Sequence, residues 1–262
     1  MSRESTGSRA TELLSLHQDK ALLKLVNVWD VISAKVVSDV PGTTALATAS
    51  HSIAASYGYE DGENIPLDLM LEAVGRIVAS TSLPVTADLE GGYGDAAETV
   101  RRAIGVGVVG ANIEDQLKPV AEAARQVEAI MKAADAEGVP DFVLNARTDT
   151  YHLGRDRDPA DNLAASVERG KAYLDAGAPV VFVPAFLKEE HVVTLVDAFG
   201  PQRLSLIAIP GTPPLPRLEE LGVARVSFGP MPQNVALTAL QELTEGVNER
   251  GEGVPPTMRL LN

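Results

Sequence analysis

The sequence predicts an α/β protein of the (β/α)8 TIM-barrel class, and three observations carry that prediction. Short β-branched runs alternate with longer helical stretches at a spacing of roughly 25 to 35 residues, the period of a strand-loop-helix unit. Eight such runs can be counted, the number that closes a parallel sheet into a barrel. Several of them, among them Val143-Leu144 and Val180-Val-Phe-Val183, are apolar without interruption, as strands covered on both faces must be.

In chain order the predicted strands are 24–28, 44–48, 84–88, 110–114, 141–147, 179–184, 204–209 and 224–228. Helical periodicity fills the intervals at 67–79, 96–104, 121–137, 160–176, 189–199 and 234–249. Gly138, Gly177, Gly200 and Gly222 close helical stretches, where a left-handed residue costs glycine least. No glycine- or serine-rich linker or charge block divides the chain. Residues 1–262 are therefore read as a single domain, with a flexible N-terminal arm over about 1–10 and an irregular tail over 251–262. A doubly wound open sheet is disfavoured because no G-x-G-x-x-G follows the first strand.

Composition narrows the function. With 22 Lys+Arg against 36 Asp+Glu the formal charge is −14, which leaves no excess of cations to neutralise phosphates, so no nucleic acid and no anionic membrane is expected as partner. Small molecules and sister subunits remain. Cysteine is absent, which excludes disulfides, thiolate zinc sites and a cysteine nucleophile. No run of about 18 apolar residues occurs, and the first 20 residues are polar and mixed in charge, so a cytoplasmic protein is expected.

In such a barrel the active site lies at the C-terminal ends of the strands, and polar residues collect there. Trp29 and Asp30 follow the first strand; Thr48, Ser50, His51 and Ser52 the second; Asp88 and Glu90 the third; Glu114 and Asp115 the fourth; and Asn145, Arg147 and Asp149 belong to the fifth. Asp88, Glu90, Glu114 and Asp115 would repel one another in a water-poor mouth unless a cation or a proton intervenes. All-oxygen ligands favour Mg²⁺, with Mn²⁺ as the other option. Asp115 and Asp149 are assigned to capping and backbone pairing. Arg147, in an otherwise apolar strand, must pair with an acid or await an anionic substrate. Backbone amides near Ser50 and His51, at the start of a short helix, offer a site for a carboxylate.

Together these segments resemble the isocitrate lyase/phosphoenolpyruvate mutase superfamily, in its phosphoenolpyruvate-mutase-like branch, from about residue 24 to 249. The motifs are Asn27-Val-Trp-Asp30, Ala47-Thr-Ala-Ser-His-Ser-Ile-Ala54, Gly58-Tyr-Glu-Asp61, Ala87-Asp-Leu-Glu-Gly-Gly-Tyr-Gly94, Asn112-Ile-Glu-Asp115 and Asn145-Ala-Arg-Thr-Asp149. The resemblance implies a barrel whose last helix is exchanged between subunits of a homodimer or homotetramer. It implies Asp88 as direct metal ligand, with Asp61, Glu90 and Glu114 binding directly or through water. Arg147 would hold the substrate carboxylate or the leaving group, Ser50 and His51 would receive the carboxylate of a 2-oxo acid, and Trp29 would wall the pocket.

The activity so implied is cleavage of a bond beside the keto group of a small 2-oxo or carboxylic acid, with an enolate stabilised by the metal. The catalytic cysteine loop of the family's isocitrate and methylisocitrate lyases is replaced here by Gln116-Leu-Lys-Pro-Val120, which removes that chemistry. The longer polar lid of the mutases is also missing, with Lys118 as its remnant, so a decarboxylase-like carbon-carbon lyase is expected ahead of a phosphonomutase or phosphonopyruvate hydrolase. A non-catalytic 2-oxo-acid binder is the third option. Tyr57, Tyr93, Lys118 and water are the candidate proton donors to the enolate.

Overall fold

All eight predicted strands form, and the first is broken at Val26 into β1 (Leu23–Leu25) and β2 (Asn27–Val28). The others are β3 (Leu46–Thr48), β4 (Val85–Asp88), β5 (Gly110–Glu114), β6 (Val143–Arg147), β7 (Val180–Val183), β8 (Leu204–Ile207) and β9 (Arg225–Ser227). In this computed structural model, which describes residues 3–251 and 253–261, every strand pairing is parallel. The sheet runs β1-β9-β8-β7-β6-β5-β4-β3-β2, and because β1 and β2 are two pieces of one strand, that order closes on itself. The fold is a TIM barrel.

Between the strands lie α2 (Val31–Ser38), α3 (Ser50–Ser56), α4 (Leu67–Ala79), α5 (Ala96–Gly105), α6 (Val120–Ala136), α7 (Pro159–Asp175), α8 (Glu189–Phe199) and α9 (Leu215–Glu220), with α1 (Arg3–Gln18) before the barrel and α10 (Met231–Arg250) after it. Local chemistry sets many boundaries. Asp30 caps α2 by accepting from Ser33 N at 2.7 Å while its own N–H donates to Ser33 Oγ at 3.0 Å, a reciprocal capping box. Asp95 caps α5 through Glu98 N at 3.0 Å, and Asp158 caps α7 with Pro159 in its first turn. Along α4, Met70, Leu71, Val74, Ile77 and Val78 form the buried stripe that packs on the sheet.

One helix contact shows how closely the outer layer fits. A Cβ placed on Gly170 of α7 would overlap the ring of Phe199 on α8. Gly170→Ala is therefore expected to destabilise the fold by about 1–3 kcal/mol through overpacking, although alanine is the better helix former. Chemical denaturation of the two proteins measures this, and an unchanged midpoint would show that the ring moves aside freely.

The N-terminal segment differs from expectation. Instead of a loose arm over residues 1–10, the described chain is helical from Arg3 onward, and Ala10, Leu13 and His17 of α1 are buried. These three recur on one helical face and pack at the N-terminal end of the barrel. The signal was thin because Leu14 and Leu16 fall to either side of that face and most of the remaining residues are polar. The described residues of the tail, 251 and 253–261, carry no helix or strand. Val235, Leu237, Leu240 and Val247 of α10 are exposed. Among the described residues no helix is long and apolar enough to cross a membrane.

Candidate active site

The C-terminal strand ends surround a cavity of about 150 Å³. Its polar wall holds Ser50, His51, Asp61, Asp88, Asn112 and Arg147; Phe182, Pro184 and Ile207 supply the apolar wall. Parallel register explains the grouping, since Asp88 stands level with Asn112 on the next strand, Asn112 level with Asn145, and Glu114 level with Arg147. The period-2 alternation of a strand then sends these side chains inward together.

Asp88 is held by its neighbours through one oxygen. Its N–H donates to Thr48 Oγ1 at 3.0 Å, and its Oδ2 accepts from Ser50 Oγ at 2.9 Å and Ser50 N at 3.3 Å. Its Oδ1 is buried and has no hydrogen-bond partner. This corrects the role expected for Ser50, whose amide and hydroxyl are both committed to Asp88. His51 is exposed, with Nδ1 3.6 Å from Asp61 Oδ2.

The other carboxylates lie beside the cavity and not on its lining. Glu90, in the left-handed region at φ +54°, is buried and accepts from Glu63 N and from Tyr93 Oη at 3.2 Å. Burial pushes its carboxyl up to about 7 against the pull of the Glu63 amide, and the charges of Asp61 and Asp88 push the same way as burial. Glu114 pairs with Arg147 Nη1 at 2.5 Å, yet burial raises its carboxyl to about 8 against that guanidinium, with Asp149, Asp88 and Glu90 adding to the rise. Arg147 also grips Asp149 Oδ1 through Nε and Nη2, each at 2.8 Å.

Asp115 and Asp149 are structural. Asp115 accepts from Leu117 N at 2.9 Å, Asp149 N at 3.0 Å, Arg169 Nη1 at 2.9 Å and Tyr173 Oη at 2.6 Å. Asp149 Oδ2 accepts from Gln116 N at 3.0 Å. Together they pin the connection after β5, where Gln116 and Leu117 take left-handed φ values of +49° and +52°. That connection is short, because α6 begins at Val120, and Lys118 Nζ donates to Gln126 of α6 at 3.0 Å.

A phosphoenolpyruvate phosphomutase family model matches residues 13–248. The chain belongs to that family. Within the wider isocitrate lyase/phosphoenolpyruvate mutase superfamily of lyases and mutases, it is 31% identical to the 2-methylisocitrate lyase of Escherichia coli strain K12, over 79% of this chain and 72% of that one. A crystal structure of a phosphonomutase candidate from Burkholderia cenocepacia J2315 superposes with a TM-score of 0.86 at 39% identity, covering 94% of this chain and all of the other. Oxaloacetate acetylhydrolase in complex with its product oxalate superposes at 0.85 and 25% identity, covering 96% and 91%.

For a member of the phosphoenolpyruvate phosphomutase family, the residues expected at the site divide as follows. The structure brings Asp61, Asp88, Ser50, His51 and Arg147 onto one cavity and leaves Glu90 and Glu114 beside it. Trp29 is elsewhere: it lines a separate cleft of about 250 Å³ with Ile32, Tyr57 and Arg76 and is absent from the lining of the cavity that holds Asp88, which corrects its expected place. Among the described residues no three acidic or histidine side chains already converge as a metal-holding group. The donor set nevertheless fits a hard divalent cation, since it is all oxygen, Asp88 Oδ1 is buried without a partner, and burial together with neighbouring acidic charge raises the carboxyls of Glu90 and Glu114, a strain that a cation would relieve.

Those raised carboxyls set a pH dependence. Below about 4.5 both acids are protonated whether the chain is folded or not; between there and about 8 the unfolded chain releases protons that the folded one keeps. The unfolded state binds fewer protons across that window, so metal-free stability falls as pH rises from about 5 to 8. A loss of at least about 1 kcal/mol, roughly 2–4 °C in melting temperature, is expected, and saturating Mg²⁺ should reduce it. A metal-free melting temperature that rises over this range would contradict the assignment.

Two residues of the barrel interior, Asn112, named only as part of a motif, and Arg225, carry no role in the sequence reading. The first was visible in principle, being two positions before Glu114 on the same strand and therefore on the same face. The second carried the signal that singled out Arg147, a guanidinium in an apolar strand, and it is fully buried.

Proposed function

We propose that this protein is a Mg²⁺-dependent lyase that cleaves a carbon-carbon bond of a small 2-oxo or carboxylic acid, decarboxylase-like, through an enolate. The carrying observation is the unpartnered Asp88 Oδ1 in a cavity that also presents Arg147. Asp88 would hold the ion, with Asp61, Glu90 and Glu114 contributing directly or through water; Mn²⁺ suits the same oxygens. When bound there, the ion supplies a Lewis acid for charge developing on the substrate's keto oxygen.

The chain's own residues do the rest. Arg147, oriented by Asp149 and Glu114, presents a fixed cation for the substrate carboxylate or the leaving group. Phe182, Pro184 and Ile207 exclude water from one side. Ser50 orients Asp88, and His51 beside Asp61 faces the open side of the cavity. Tyr93, bonded to Glu90, is the proton donor nearest the acids among those considered. Catalytic roles for Asp88, Glu114 and Arg147 are part of this proposal.

Phosphonomutase or phosphonopyruvate hydrolase activity is the second reading, favoured by the 39% identity to the Burkholderia cenocepacia phosphonomutase candidate. The short connection at 115–119 weighs against it, because a reactive phosphoryl group needs shielding. The exposed apolar side chains of α10 support a homodimer or homotetramer in which that helix packs on a neighbour.

Calorimetric titration of oxalate with and without Mg²⁺ tests the site. Mg²⁺-dependent binding supports it and is followed by a screen of 2-oxo acids, in which CO₂ or a second carbonyl product marks a lyase and a ³¹P change marks phosphonate chemistry. Tight binding with no product from any acid would favour a non-catalytic binder. Metal-independent or absent oxalate binding would defeat the proposal.

A further inference from the structure

Beneath the cavity the barrel interior is more polar than a packed core requires. Arg225 of β9 is fully buried and, among the described residues, forms no ion pair; burial lowers its guanidinium to about 10 against the charge of Asp88, which favours the cation. Its Nη2 donates to Asn112 Oδ1 at 3.2 Å, while Nε and Nη1 have no hydrogen-bond partner. Asn145 Nδ2 donates to the same Asn112 oxygen at 2.7 Å. A buried guanidinium with two unpartnered nitrogens is costly, so its arrangement calls for a physical account.

The account lies in what it does to Asn112. An asparagine amide has two nearly isosteric ends, and a pair such as Asn112 and Asn145 can bond to each other in either sense. Arg225 removes that freedom: a guanidinium only donates, so the end of Asn112 that faces it must be the oxygen. Asn112 Nδ2 is thereby turned the other way. Among the described residues no hydrogen bond engages it, and Asn112 lines the cavity level with Asp88. Asn27, the other amide on that lining, is tied down at both ends, with Nδ2 donating to Thr48 O at 2.9 Å and Oδ1 accepting from Phe228 N at 2.7 Å.

We propose that Asn112 is a specificity-determining residue whose amide N–H groups, locked toward the cavity by Arg225 and Asn145, bind an acceptor oxygen carried by the substrate outside its 2-oxo-acid head. This rests on the proposed function and adds a statement about the substrate: its third carbon bears a hydroxyl, carbonyl or carboxylate oxygen and not an alkyl group alone. Arg225 and Asn145 are positioning residues, acting through Asn112. A site built to donate a hydrogen bond discriminates strongly against a ligand that lacks the acceptor, because its own donor is then left unpaired in the cavity.

The test uses two non-reacting 2-hydroxy acids of equal charge and nearly equal size, glycerate and 2-hydroxybutyrate, which differ by a hydroxyl in place of a methyl. Each is titrated calorimetrically into the wild type, Asn112→Leu and Arg225→Met in saturating Mg²⁺, with oxalate as the reference ligand. The wild type is expected to prefer glycerate by about tenfold or more, and both variants to bring the two ligands within about twofold while binding oxalate within about threefold of wild type. Arg225→Met keeps the test decisive if Asn112→Leu fails to fold, because replacing a buried charge by an apolar side chain of similar size is often neutral for stability. Equal affinities in the wild type, or a preference that survives in the folded variants, would overturn the inference while oxalate binding stands. Loss of Mg²⁺-dependent oxalate binding in the wild type itself would overturn the proposed function and this inference with it.

Discussion

Asp88→Ala is expected to abolish Mg²⁺-dependent oxalate binding and to lower turnover of the eventual substrate by about 10³-fold or more, since the several kcal/mol that a Lewis acid contributes would go with the ion. The expectation rests on the asymmetry of this carboxylate. One oxygen is held by Ser50 and the other is buried with nothing to receive. Loss of the side chain leaves Ser50 facing the cavity, where water can satisfy it, so the variant should stay folded and melt within a few degrees of the wild type. The decisive comparison is calorimetric, wild type against variant, with circular dichroism confirming the fold. Undiminished oxalate affinity in a folded Asp88→Ala protein would remove Asp88 from the metal site, and with it the mechanism.

Arg147→Met is expected to act on both stability and function. Its guanidinium bonds Glu114 and Asp149 at once, and Asp149 is almost wholly buried. Removing the cation strands two carboxylates, which costs about 3 kcal/mol or more when one partner of a buried pair is taken away. The melting temperature should fall by roughly 6–12 °C at pH 8 and by less at pH 5, because the stranded acids take up protons as the pH drops. In the fraction that remains folded, affinity for oxalate should fall at least tenfold, since a fixed cation for the carboxylate is lost. Arg147→Lys is expected to rescue little, because one ammonium cannot reproduce bonds made from Nε, Nη1 and Nη2. A pH-independent loss of stability would mean that the arginine contributes packing alone.

Much of the architecture was legible along the chain. The helices at 67–79 and 189–199 and the strand at 110–114 appear within the bounds predicted, because their periodicity is strong and their ends carry turn or capping residues. The site was legible in part. Asp88 and Arg147 stand out at strand ends because a charge in an apolar strand needs a reason. Asn112, although part of a motif, and Arg225 carry no role in the sequence reading, because nothing local says that an amide on one strand and a guanidinium on another touch across the barrel.

The sequence by itself determined the period of eight strands, the absence of thiol chemistry and the collection of acids at strand ends, all of which follow from local pattern and residue type. Only the tertiary structure decided that α1 packs at the end of the barrel, that Ser50 binds Asp88, that Trp29 lines a different cleft and which end of the Asn112 amide faces the cavity. Those are contacts between residues far apart in the chain. Their energies depend on distance and direction between groups that no periodicity relates, so they exist only once the barrel has closed.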